Sequence, residues 1–192
     1  MRFEPLTLDL IAGQTRSYSS IQFVRAQGGY WSAECFGLDA FSDLGKTANV
    51  GSTMPPLLVI DDDADAHFLL GRCLIQAGIQ CDLHTARDAE AGIEYFEKCV
   101  RGELVWPYVV FLDIRMPRAD GFSVLEWLRQ RSLLGNTLVA MMSSSDLPRD
   151  VSRSFSLGAH TYLNKAVRPE VLGPIVKSAI ELAEQHRSPQ SK

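Results

Sequence analysis

The chain has 192 residues, 46% of them apolar, and a formal charge of −4 at neutral pH. That is ample for a core in one or two domains, and no Lys/Arg-rich run offers a footprint for nucleic acid. No apolar stretch approaches the roughly 18 residues that a membrane span needs. Leu6 to Ile11, broken by Asp9, is too short for a signal peptide, so a cytoplasmic location is expected.

Residues 1–54 carry scattered Gly and Ser with no sustained period of 2 or 3.6. They are expected to be a poorly ordered extension, with a strand near Ser20 to Arg25. Met54 directly precedes Pro55-Pro56 and could be the native start. From there the pattern alternates. A strand over 57–60 precedes a helix over 64–77, which carries Ala66, Leu70, Cys73 and Ala77 on one face and closes before Gly78. A strand over 79–83 and a helix over 87–101 follow, then a strand over 107–112 and a helix over 121–131. The last two pairs are strand 137–142 with helix 148–157, ending at Gly158, and strand 160–163 with helix 168–186. Residues 187–192 form a short tail, too short for a DNA-binding module.

Strands and helices in strict alternation predict an α/β fold, a doubly wound five-stranded parallel sheet with helices on both faces. The flavodoxin-like order 2-1-3-4-5 puts the first and third strands at the switch point, where ligands bind outside the strand ends. Those strands end on Asp61-Asp62-Asp63 and on Asp113. The fourth ends on Ser143, and the fifth is followed by Asn164-Lys165. An acid cluster, a lone acid, a hydroxyl and an amine gathered at strand ends suit a phosphoryl group with a cation.

These motifs resemble bacterial response-regulator receiver domains of the CheY-like kind. Leu58-Val59-Ile60-Asp61-Asp62, Phe111-Leu112-Asp113-Ile114-Arg115-Met116-Pro117, Ser143 and Lys165 stand in the family's order. Residues 55–186 would be the receiver, its extra length placed in Arg101 to Trp106. The resemblance implies a single-domain phosphoacceptor of a two-component phosphorelay, not an enzyme beyond its own phosphotransfer and slow autodephosphorylation. Asp113 would take a phosphoryl group from a sensor histidine kinase or phosphotransfer protein, giving an aspartyl phosphate. Mg²⁺ is the implied cofactor, a hard ion content with carboxylates, water and phosphoryl oxygens. Asp62, Asp113 and the backbone carbonyl of Arg115 would ligate it directly and Asp61 through water. Lys165 would pair with the phosphoryl oxygens and Ser143 would donate to them, while Tyr162 matches the family's aromatic switch. Output would pass through the fourth helix, fifth strand and fifth helix to an unknown downstream protein or a second copy. That face carries Arg149, Arg153, Phe155, Tyr162 and Lys177.

The alternative is a haloacid-dehalogenase-type phosphatase using Asp61, but Asp65 stands where its motif needs Thr or Val. Asp63 or Asp65 reads as the cap of the first helix. His67, His84, His160 and His186 lack ligand spacing and read as solvated or incidental. Cys35, Cys73, Cys81 and Cys99 lack metal or redox spacing and read as free thiols. One departure stands out. The family usually has a cis-proline after the lysine, and this chain has Ala166. A cis bond to alanine costs about 2.5–4 kcal/mol, so either packing enforces it or the loop is trans.

Overall fold

The computed structural model describes residues 23–25, 31–33, 54–144 and 147–187. Among the described residues seven strands run in chain order: β1 (Phe23–Arg25), β2 (Trp31–Ala33), β3 (Pro56–Ile60), β4 (Asp82–Ala86), β5 (Val109–Asp113), β6 (Leu138–Ser143) and β7 (Thr161–Asn164). Five helices alternate with the later strands: α1 (Ala64–Gln76), α2 (Ala89–Val100), α3 (Gly121–Gln130), α4 (Pro148–Ser156) and α5 (Pro169–Arg187). The sheet order is β1-β2-β7-β6-β5-β3-β4. Its last five members are parallel, and counted from β3 they reproduce the order 2-1-3-4-5.

The sheet is wider than the five strands expected. β1 and β2 form an antiparallel pair, and β2 adds antiparallel to β7 with Trp31 opposite Tyr162 and Ser32 opposite Thr161. The strand expected near Ser20 to Arg25 is thus present as β1, and β2 had no periodic signal in so short a segment. The rest of the extension, including Cys35, lies outside the described residues.

Because β3 and β5 are covered on both faces, their residues alternate between two cores. Leu58, Ile60, Val110 and Leu112 pack with Phe96, Phe122 and Leu125 from α2 and α3. Leu57, Val59, Val109 and Phe111 pack with Leu74 of α1 and with Leu172 and Val176 of α5.

The strand expected at 79–83 lies three residues later, and helix capping is the reason. Ile79 donates its N–H to the Leu74 carbonyl and Gly78, at φ 71°, donates to Ile75. This is the Schellman closure, in which the apolar residue after the glycine packs back on the helix. Ile79 therefore serves α1, and β4 is an edge strand of mixed polarity. The lengthened connection after α2 folds inward, stacking buried Trp106 on Phe96 with ring centroids 5.8 Å apart.

Candidate functional site

The sheet delivers its charged residues to one end. Asp61 follows β3, Asp113 closes β5, Ser143 closes β6 and Lys165 follows β7. Asp61 and Asp113 are each only 3% exposed, whereas Asp62 is exposed. Carboxylate oxygens of Asp61, Asp62 and Asp113 lie within 4.8 Å of one another. Lys165 Nζ reaches Asp61 at 2.8 Å and Asp113 at 3.1 Å. A half-buried cation thus bridges two buried carboxylates.

The local chain explains how each group is held. Asp63 caps α1, its carboxylate accepting the Asp65 N–H, while Asp61 Oδ1 accepts the Asp63 N–H at 3.0 Å. Asp120 caps α3 by accepting the Ser123 N–H. Gly121 then meets the end of β5 so closely that a Cβ there would sit 2.1 Å from the Asp113 carbonyl oxygen. Only glycine allows that approach. Arg118 takes φ 71° in the same loop and pairs with Asp88 at 2.7 Å.

Burial, and then the neighbouring Asp61 charge, push the Asp113 carboxyl above its ordinary range, against the pull of Lys165 and the Arg115 N–H. For Lys165, burial works to lower the pKa, but the hydrogen bonds to Asp61 and Asp113 win and hold the ammonium above its usual range. Two carboxylates against one ammonium leave net negative charge under cover. That donor set of hard oxygens fits Mg²⁺ better than softer ions.

Two cavities flank the site. One of about 560 Å³ reaches from Asp61, Asp113 and Lys165 along Leu69 and Arg72 of α1 to Arg168. The other, about 790 Å³, opens beside Asp62 between Arg115, Asp150 and Arg153. Ser143 is 2% exposed, and its carbonyl accepts the Lys165 N–H at 2.9 Å, tying hydroxyl and amine positions together.

Some expectations need correction. Phe155, expected on the output face, is buried, and it shares a core cluster with Tyr162, Val139 and Met141. His67 is not incidental, since its Nε2 donates to the Asp61 carbonyl at 2.7 Å. His160 Nδ1 accepts the Val139 N–H at 3.0 Å, and burial lowers its pKa to about 4. His84 pairs with Asp82 at 3.2 Å, and the side chain of His186 lies outside the described residues. The Lys165–Ala166 peptide is trans. Sequence reasoning missed Gly121 and Asn164 as site-building residues. The Asp120-Gly121 pair after a strand was the available signal for the first.

A profile of the response regulator receiver domain family matches residues 57–177. The chain belongs to that family. The protein PilG of Pseudomonas aeruginosa is 31% identical over 120 residues, covering 62% of this chain and 83% of PilG. The transcriptional regulatory protein GltR of the same organism is 28% identical over 128 residues. That match takes in 67% of this chain but spans only half of GltR. Among solved structures, the receiver domain of a DNA-binding response regulator from Colwellia psychrerythraea superposes with a TM-score of 0.57 at 25% identity. It covers 66% of this chain and 98% of the other. Phosphoacceptor signalling in two-component systems is the family's business, and receivers are not enzymes in the ordinary sense. The phosphatase alternative finds no support in the fold or in these relatives. No helix among the described residues is long and apolar enough to cross a membrane.

Proposed function

We propose that this chain accepts a phosphoryl group on Asp113 from a phosphohistidine of a sensor kinase or phosphotransfer protein. The observation that carries the reading is the bridge from Lys165 to Asp61 and Asp113 beside exposed Asp62. An Asp113 oxygen attacks phosphorus, the nitrogen–phosphorus bond breaks, and the donor imidazole keeps the electron pair. Lys165 sits where charge develops on the phosphoryl oxygens and is already half-buried and held by Asp61 and Asp113, so it reorganises little during transfer. Asp62, Asp113 and the Arg115 carbonyl would hold Mg²⁺, with Asp61 acting through water. The ion supplies neutralising charge for the phosphoryl oxygens.

Ser143 would donate its hydroxyl to the new phosphate. Tyr162 already lies inward, so it would report the phosphorylated state by holding that position rather than by reaching it. A phosphoryl group brings about −2 charge and new acceptors, enough to bias such a two-state element. Output runs through α4, β7 and α5 to a downstream protein or a second copy. Residues 55–186 carry the activity, and a chain starting at Met54 should fold and accept phosphate. The chain's site of action is the cytoplasm, where such donors are made.

The test is incubation with Mg²⁺ and acetyl phosphate, followed by mapping of the modified residue. Label on Asp113, absent without Mg²⁺ and absent in Asp113→Asn, is the expected outcome. Label that persists in Asp113→Asn, or maps to Asp61, would overturn the assignment.

A further inference from the structure

Lys165 rides on a turn rather than on a strand or helix, since β7 ends at Asn164 and α5 begins at Pro169. Its reach to Asp61 and Asp113 therefore depends on how that turn is held. Three successive backbone N–H groups are accounted for there. Lys165 donates to the Ser143 carbonyl at 2.9 Å, and Val167 donates to the Asn164 carbonyl at 3.0 Å. Between them, the Ala166 N–H donates to the Asn164 side-chain oxygen at 2.9 Å. A side chain accepting from the N–H two residues on is an Asx-turn, which rigidifies a loop from its first residue. Proline at 166 would have no N–H to give, so this closure is available only because a residue other than proline stands there.

We propose that Asn164 is a positioning residue for phosphoryl transfer, its side-chain carbonyl locking the trans turn that aims Lys165 at the acidic pocket. In this chain that Asx-turn takes over the place that proline after the lysine holds elsewhere in the family. Asn164 itself has no ion pair or hydrogen bond to Asp61 or Asp113, so it acts through Lys165. The inference rests on the reading of Lys165 as the group that meets the phosphoryl oxygens.

The test uses the full chain with beryllofluoride, which mimics the acyl phosphate, at saturating Mg²⁺. Dissociation constants for beryllofluoride and for Mg²⁺ alone, with Tm, are measured for wild type, Asn164→Ala, Asn164→Asp and Lys165→Ala. Asn164→Ala should weaken beryllofluoride about tenfold, the fold-change of one lost hydrogen bond. Its Mg²⁺ affinity should not weaken, because the carboxylates are untouched. Asn164→Asp keeps an acceptor at the same place and should restore most of the loss. Wild-type binding by Asn164→Ala would overturn the proposal. So would parallel loss of Mg²⁺ and beryllofluoride binding with a lower Tm, or failure of Asn164→Asp to restore. If Lys165→Ala binds beryllofluoride like wild type, the reading of Lys165 falls first and takes this inference with it.

Discussion

The two ends of the parallel sheet are built on opposite terms. At the carboxyl end, Asp61 and Asp113 are buried side by side, and one ammonium, Lys165, serves both. At the amino end the backbone satisfies itself. Tyr108 donates to the Pro56 carbonyl at 2.8 Å, and Leu138 donates to the Tyr108 carbonyl at 3.0 Å. The side chains there are largely apolar or aromatic, such as buried Trp106 and Tyr108. One polar atom is left over: the fully buried Thr137 hydroxyl has no hydrogen-bond partner among the described residues. On the proposed function, a phosphoryl group and a cation would relieve the charge crowding at one end. The stray hydroxyl at the other end has no such use. Substitutions at the carboxyl end should therefore move chemistry more than stability, and substitutions elsewhere should do the reverse.

The largest stability effect should come from the core away from the site. Phe96 is fully buried and stacks on Trp106 and Trp127. Phe96→Ala should cost about 3–5 kcal/mol in denaturant unfolding, with labelling per folded molecule unchanged. Gly121→Ala should break the division between the two ends, because its Cβ would strike the Asp113 carbonyl oxygen. A cost of about 1–3 kcal/mol together with slowed acetyl phosphate labelling is expected. Loss of stability alone would mean that the β5 end relaxes without moving the carboxylate. Thr137→Val should sharpen the contrast by gaining about 1 kcal/mol with labelling rates unaltered.

Much of this was legible because strand ends and caps are written locally. Asp61, Asp62, Asp113, Ser143 and Lys165 all fall at ends of apolar runs, so order along the chain was enough to gather them. Gly78 and Gly158 announced the closures of α1 and α4, and both take positive φ. What escaped depends on contacts across the fold. Ile79 reads as a strand residue until its bond to Leu74 shows that it closes a helix. β2 is three residues long and gains its partners from β7, far along the chain. Phe155 reads as part of the output face, and only packing shows that it is buried. Asn164 looked like a strand end until its side chain was seen to hold the turn carrying Lys165.

The carboxyl-end charges carry a pH signature. Because burial and Asp61 raise the Asp113 pKa, the folded chain holds its proton where the unfolded chain has lost it. Stability thus falls as pH rises from the ordinary carboxylate range through that raised value. The Lys165 shift has the same sign in a higher pH window. Its contribution is complete below the ordinary lysine range and is lost as pH climbs through the raised value.

The decisive measurement is the unfolding free energy of wild type and Asp113→Asn, with and without Mg²⁺, from pH 4 to neutrality. Without Mg²⁺ the variant should be more stable near neutral pH by about 1–2 kcal/mol, because the repulsion between two buried carboxylates is relieved while Lys165 stays paired with Asp61. That margin should shrink on acidification, as wild-type Asp113 takes up its proton. At about 100 times the dissociation constant, Mg²⁺ should stabilise wild type by about 2.7 kcal/mol and the variant far less, so the order reverses. A variant less stable than wild type without Mg²⁺, or equal stabilisation of both by the ion, would contradict a carboxyl end strained for phosphoryl and cation binding.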